Sequence, residues 1–111
     1  MSGPQDYSLV LKAGVRLAEL QPQTVLAMLI VHSILARSGT QCVITSCNDS
    51  KHSDASLHYQ GRAFDFRTKT YKFDKQALIQ EIRAALGEEF DVLLEDEDGP
   101  NQHAHVEYDP R

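Results

Sequence analysis

A chain of 111 residues with 41% hydrophobic and 24% charged residues has the composition of a soluble globular protein. At this length roughly two thirds of the unfolded surface is buried on folding, so neither a disulfide nor a metal is needed for folding alone, and any metal site is expected to serve a function. Sixteen acidic against eleven basic residues leave a net charge of -5, which argues against nucleic acid or an anionic membrane surface as a partner.

The opening MSGPQDYS lacks the basic stretch and apolar run of a secretory signal. The most apolar segment, VLAMLIVHSILA, is too short to span a membrane and carries His32 and Ser33. The expectation is a single domain over residues 1–111, synthesised in the cytoplasm without a signal peptide. Cys42 and Cys47 lie close together and are expected to stay as free thiols, which suggests a reducing compartment of synthesis.

Residues 1–20 show little periodicity beyond a short strand near SLVL. Gln21 to Ser38 reads as a helix: Pro22 suits the first turn, Val25, Met28, Leu29, His32 and Leu35 follow a helical stripe, and Gly39 supplies a left-handed stop. Apolar residues also fill its other faces, so the helix is expected to be central. QCVITS (41–46) is a buried strand that empties into the polar loop CNDSKHSDAS, and Arg62 to Arg67 is a second strand. Asp74 is a good N-cap, Phe73 can staple onto Leu78, and Leu78, Ile79, Ile82 and Leu86 form one apolar helical face that Gly87 ends. FDVLLE (90–95) is a strand, DEDGPN a turn, and HAHVEY (103–108) a final alternating strand. This order predicts an α+β fold in which helices pack on a small, mostly antiparallel sheet.

Alternation along a strand puts Ala63 and Asp65 on one face of RAFDFR, with Phe64 and Phe66 on the other. It likewise groups His103 with His105, and sets Ala104, Val106 and Tyr108 behind them. His58 precedes its strand, and Gly61 permits a tight backbone path that lets it fold back toward Asp65. Two neutral imidazoles and a carboxylate make a three-ligand set suited to Zn2+, and a fourth position left open marks a catalytic site. Such an ion acidifies a bound water and polarises a carbonyl, its two uses in peptide hydrolysis. Any one of these residues alone would read as structural; the constellation points to chemistry.

The stretch S56-L-H58-Y-Q-G61-R-A63-F-D65 fills every fixed place of the S-x-H-x-x-G-x-A-x-D pattern of zinc D-alanyl-D-alanine carboxypeptidases and related peptidoglycan peptidases, and H103-A-H105 resembles their closing H-x-H. HSDASLHYQGRAFDF, FDVLLE and HAHVE also look like the zinc domain of hedgehog signalling proteins, which share that fold. The likeness runs in order over residues 42–108. It implies a hedgehog/DD-peptidase-like fold with zinc held by His58, Asp65 and His105. It also implies His103 beside the metal, with His52 at the site's edge and Ser56 ordering the loop.

The sequence departs from the pattern at the general base. Many of these peptidases carry a glutamate three residues before the last histidine ligand, where this chain has Gln102, which cannot usefully accept a proton. Glu95, in a position resembling the glutamate of hedgehog-type sites, or His103 is the expected catalytic group. Asp96, Glu97 and Asp98 read as a solvated turn, His32 as a core or interface histidine, and Glu107 as an exposed salt-bridge partner. Cys47 could approach the site from its loop, but no motif demands it. With only Asp49 and Asp54 in the preceding loop, no calcium is expected.

The leading expectation is a zinc metallopeptidase, of D,D-carboxypeptidase or peptidoglycan endopeptidase type, that cuts stem peptides or cross-links through a metal-activated water. Its small size resembles phage endolysins of this family, which degrade the cell wall after release. A zinc-bearing binding module without turnover is the alternative, favoured by the missing E-x-x-H glutamate. A purely structural zinc ranks last because three protein ligands leave a position open.

Overall fold

The computed structural model describes residues 8–17, 19–47 and 61–110. Its elements are β1 (Leu9–Leu11), α1 (Pro22–Arg37), β2 (Cys42–Ser46), β3 (Ala63–Arg67), α2 (Lys75–Leu86), β4 (Phe90–Glu95) and β5 (His103–Tyr108). Each element follows from local chemistry already visible in the chain. Pro22 occupies the first turn of α1, whose end is closed by Gly39 at φ 66°, with Gly39 N donating to Ala36 O and Thr40 N to Leu35 O. Asp74 caps α2 by accepting from Ala77 N at 3.1 Å, and Gly87 at φ 86° ends it.

The buried face of α1 differs from the expected stripe. Thr24, Ala27, Met28, Val31, Ile34 and Leu35 are buried, whereas Val25 and Leu29 are 39% and 49% exposed and His32 is half-buried. Apolar residues occupy most sides of this helix, so periodicity alone did not select the side that packs. The small residues Thr24 and Ala27 allow close approach, and the Thr24 hydroxyl donates to Gly61 O at 2.8 Å. On α2 the expectation holds, with Leu78, Ile79 and Ile82 buried and Leu86 packed against the core. Phe73 is 38% exposed and stacks on Tyr71 with ring centroids 5.1 Å apart.

The five strands form one sheet in the order β1-β2-β3-β5-β4. It is a mixed sheet, which corrects the expectation of a mostly antiparallel one: β1 pairs with β2 in parallel, and the remaining neighbours are antiparallel. The cause lies in the connection. Helix α1 carries the chain from β1 back to the same end of the sheet before β2 begins, and such a crossover makes the two strands parallel, whereas tight turns make antiparallel pairs. The expected order of elements otherwise stands, with an α+β architecture.

Both helices contribute to one hydrophobic core. Phe64 and Phe66 of β3, Ala104 and Val106 of β5, Val92 of β4, and Cys42 and Ile44 of β2 meet Met28, Val31, Leu35, Ile79 and Ile82 there. The two cysteines are buried free thiols, as expected, and burial pushes the Cys42 thiol up to about 12, so it stays protonated and inert. Cys47 packs in this core. Arg83 fastens α2 to β4 by donating through Nε and a terminal nitrogen to Val92 O at 3.0 and 2.7 Å. None of the helices among the described residues is long and apolar enough to cross a membrane.

Two details place the polar face of the sheet. Between Ile44 and Ser46 the β2–β3 register slips, so Ile44 lies opposite Phe66 in the core while Ser46 lies opposite Asp65. Gly61, just before β3, has φ 72°, and its carbonyl accepts from both Gln21 N and the Thr24 hydroxyl at the start of α1. A Cβ at this position would collide with the Glu19 carbonyl. Gly61→Ala is therefore expected to destabilise the protein by about 1–3 kcal/mol or more, read as a lower midpoint in urea unfolding.

Candidate functional site

Register does for the site what alternation does for the core. Asp65 of β3 lies directly opposite His105 of β5, Arg67 lies opposite His103, and Glu95 of β4 lies opposite His103 from the other side. Cross-strand partners share a face, so Asp65, His103, His105 and Glu95 gather on the side of the sheet away from the phenylalanines. Ala63, on the same face of β3 as Asp65, is fully buried.

Asp65 is the hub. Its Oδ1 is 2.7 Å from His105 Nδ1 and its Oδ2 is 3.8 Å from His103 Nε2. Glu95 Oε1 stands 3.4 Å from His103 Nε2 and 3.9 Å from His105 Nδ1. The far nitrogen of each imidazole is pinned outward: His103 Nδ1–H donates to Asn101 O at 2.6 Å, and His105 Nε2 lies 2.9 Å from Glu107 Oε1. Each ring therefore turns its other nitrogen toward the Asp65 carboxylate. Asp65, Glu95 and His103 offer ligand atoms that all lie within 4.8 Å of one another, a grouping able to hold a metal ion. The four side chains are accessible yet sheltered, from 15% exposed for His105 to 48% for Glu95.

Of the residues singled out in the sequence, Asp65, His105, His103 and Glu95 are thus brought together. His58, His52 and Ser56 lie outside the described residues. Gln102, where the resemblance led one to look for a glutamate, is buried, and its amide donates to Glu97 O at 2.6 Å, closing the 96–102 turn. The acidic run is the exposed turn that was expected, and hydrogen bonds give it a defined shape. Asp96, at φ 50°, accepts from Asn101 N at 2.9 Å, Glu97 accepts from Gln76 Nε2 at 2.9 Å, and a Cβ on Gly99 would strike the Asp96 carboxylate. Asp96 and Glu97 are therefore committed to the turn and to α2, which leaves Glu95 as the carboxylate of this segment that meets the histidines.

Glu107 pairs with His105 and is largely sheltered, where an exposed salt-bridge partner was expected. It stands two residues after His105, on the same face of β5, with a side chain only 20% exposed and in contact with the imidazole. Asp91 and Asp109 lie near it, the ligand atoms of the three carboxylates falling within 4.8 Å.

A cleft of about 260 Å³ opens beside this cluster, lined by Asp65 and His103 together with Lys12, Arg67 and Lys69. In a chain of net charge -5 this is a local reversal of sign. Ser46, brought across by the register slip, also lines it.

Compared with known proteins, the chain matches no family model, no curated protein and no solved structure.

Burial by itself would lower the pKa of His105; the hydrogen bond and charge of Asp65, and then those of Glu107, outweigh it and hold the imidazole above its ordinary value. A raised folded-state value means that the imidazolium stabilises the fold fully below the unfolded value of 6.5, and that this contribution is lost as pH rises through the folded value. The urea midpoint of metal-free protein is expected to fall across that window, and to fall less in Asp65→Asn, which removes the first of the two carboxylate partners. Equal slopes for the two proteins would show that the Asp65–His105 contact does not contribute.

Proposed function

We propose that the protein is a zinc-dependent peptidase that hydrolyses peptide bonds of bacterial peptidoglycan, on a hedgehog/DD-peptidase-like fold. The observation that carries the reading is the convergence of Asp65, His105, His103 and Glu95 from three adjacent strands within 2.7 to 3.9 Å of one another's polar atoms. Imidazole nitrogen and carboxylate oxygen are the donors zinc takes, at about 2.0–2.2 Å, and their clustering on a partly exposed face suits an ion with an open position. Asp65 and His105 would hold it, with His58 as the third ligand that the motif implies. Zinc bound there would supply Lewis acidity at the scissile carbonyl and make a water molecule more acidic.

The remaining chemistry belongs to His103 and Glu95. With its Nδ1–H given to Asn101 O, neutral His103 presents an Nε2 lone pair toward the site, next to Glu95 Oε1. Water adds to the carbonyl carbon and gives its proton to this pair; the pair returns it to the amide nitrogen as the C–N bond breaks. Gln102 takes no part, because its side chain is buried and tied to the turn. Lys12, Arg67 and Lys69 in the adjoining cleft suit an anionic group on the substrate, as stem peptides carry, and they offset the acidic surface at the point of contact.

The second reading, a zinc-bearing binding module without turnover, draws on Gln102, since the residue in the usual place of the base is structural. The two readings separate by substitution. Incubation of purified protein with defined muropeptides, followed by mass spectrometry, is expected to show cleavage that stops on chelation and returns with zinc. Glu95→Ala and His103→Ala are each expected to lower kcat by about 10²–10⁴-fold while zinc remains bound, whereas Asp65→Ala loses the zinc. Retained zinc with no cleavage of any stem or cross-linked peptide by the wild type would establish the module instead. Arg67→Glu is expected to raise KM for substrates with an anionic group beside the cut, and to leave neutral peptides largely unaffected.

A further inference from the structure

We propose that Glu107 is a positioning residue for the metal site: by accepting the Nε2–H of His105 it keeps the Nδ1 lone pair available for the ion shared with Asp65. The inference rests on the zinc reading above and extends it to a residue that the peptidase motif does not include. A neutral imidazole has one N–H, and here two carboxylates compete for it, Asp65 at 2.7 Å from Nδ1 and Glu107 at 2.9 Å from Nε2. If the proton sits on Nδ1 it bonds to Asp65, and the ring then offers a cation no lone pair at that edge. If it sits on Nε2 it bonds to Glu107, and Nδ1 and Asp65 Oδ1 face one another as two lone-pair donors. Glu107 thus decides between a closed and an open site.

The backbone favours this contact. Glu107 and His105 are on one face of a strand hydrogen-bonded on both sides, and Glu107 lies opposite the small Ala63 on β3 and opposite Asp91 on β4. Asp91 and Asp109 surround it with like charge, which by itself is unfavourable, and the histidine contact offsets that cost. Removal of the Glu107 carboxylate relieves the repulsion, so variants at this position are expected to fold.

The test uses full-length wild type, Glu107→Ala and Glu107→Gln, each verified by its unfolding midpoint. Long-range ¹H–¹⁵N NMR of metal-free protein, at a pH where His105 is neutral, reads which ring nitrogen carries the proton, and competition with a chromogenic chelator reads the zinc Kd. In Glu107→Ala the proton is expected to move to Nδ1 and zinc to bind roughly 10–100-fold more weakly. Glu107→Gln, whose amide oxygen can still accept from Nε2–H, is expected to recover most of both. Wild type that binds zinc while Glu107→Ala keeps its tautomer and affinity overturns the proposal and leaves the peptidase reading standing, as does a Gln variant no better than Ala. Wild type that binds no zinc defeats the zinc reading itself.

Discussion

The pairing of Asp65 with His105 across β3 and β5 is the constraint on which the site depends. Because side chains alternate along a strand, a slip of one residue in that pairing would turn His105 and His103 into the core and bring Ala104 and Val106 out to water. The apolar side chains on the far face prevent it: Phe64, Phe66, Ala104 and Val106 are buried against the helices, so the register that satisfies the core is the one that assembles the polar cluster. The core and the polar cluster are set by the same two strands.

The register slip between Ile44 and Ser46 extends this economy to β2. Up to Ile44 the strand feeds the core; beyond it Ser46 faces Asp65 and lines the cationic cleft. One extra residue converts a core strand into part of the wall of that cleft. The 96–102 turn performs a similar service at the other margin. Asp96, Gly99, Asn101 and Gln102 hold its shape, and the Asn101 carbonyl it presents fixes the orientation of His103.

Much of this was legible in the chain. The alternation in RAFDFR and HAHVEY was enough to separate phenylalanines from the aspartate and to put both histidines on one side, and the caps at Asp74, Gly39 and Gly87 marked the helix ends. What the sequence could not supply was partnership between distant segments. A helix apolar on most sides did not reveal that Thr24 and Ala27, rather than Val25 and Leu29, meet the sheet, and a three-residue strand gave no indication that β1 would join β2 in parallel. Glu107 was expected to be an exposed salt-bridge partner because it lies farther along the strand than His105; that its partner is the His105 ring appears only in the folded chain. Gln102 shows the converse: read from the sequence as a departure from a peptidase-like pattern, it braces the turn.

Asp65, His103 and His105 stand on inner strands, each flanked by neighbours on both sides, while Glu95 is the last residue of β4, at the sheet's margin. The aspartate and the two histidines thus inherit the stiffness of the sheet's interior, while the glutamate that faces them stands at its edge, paired on one side only.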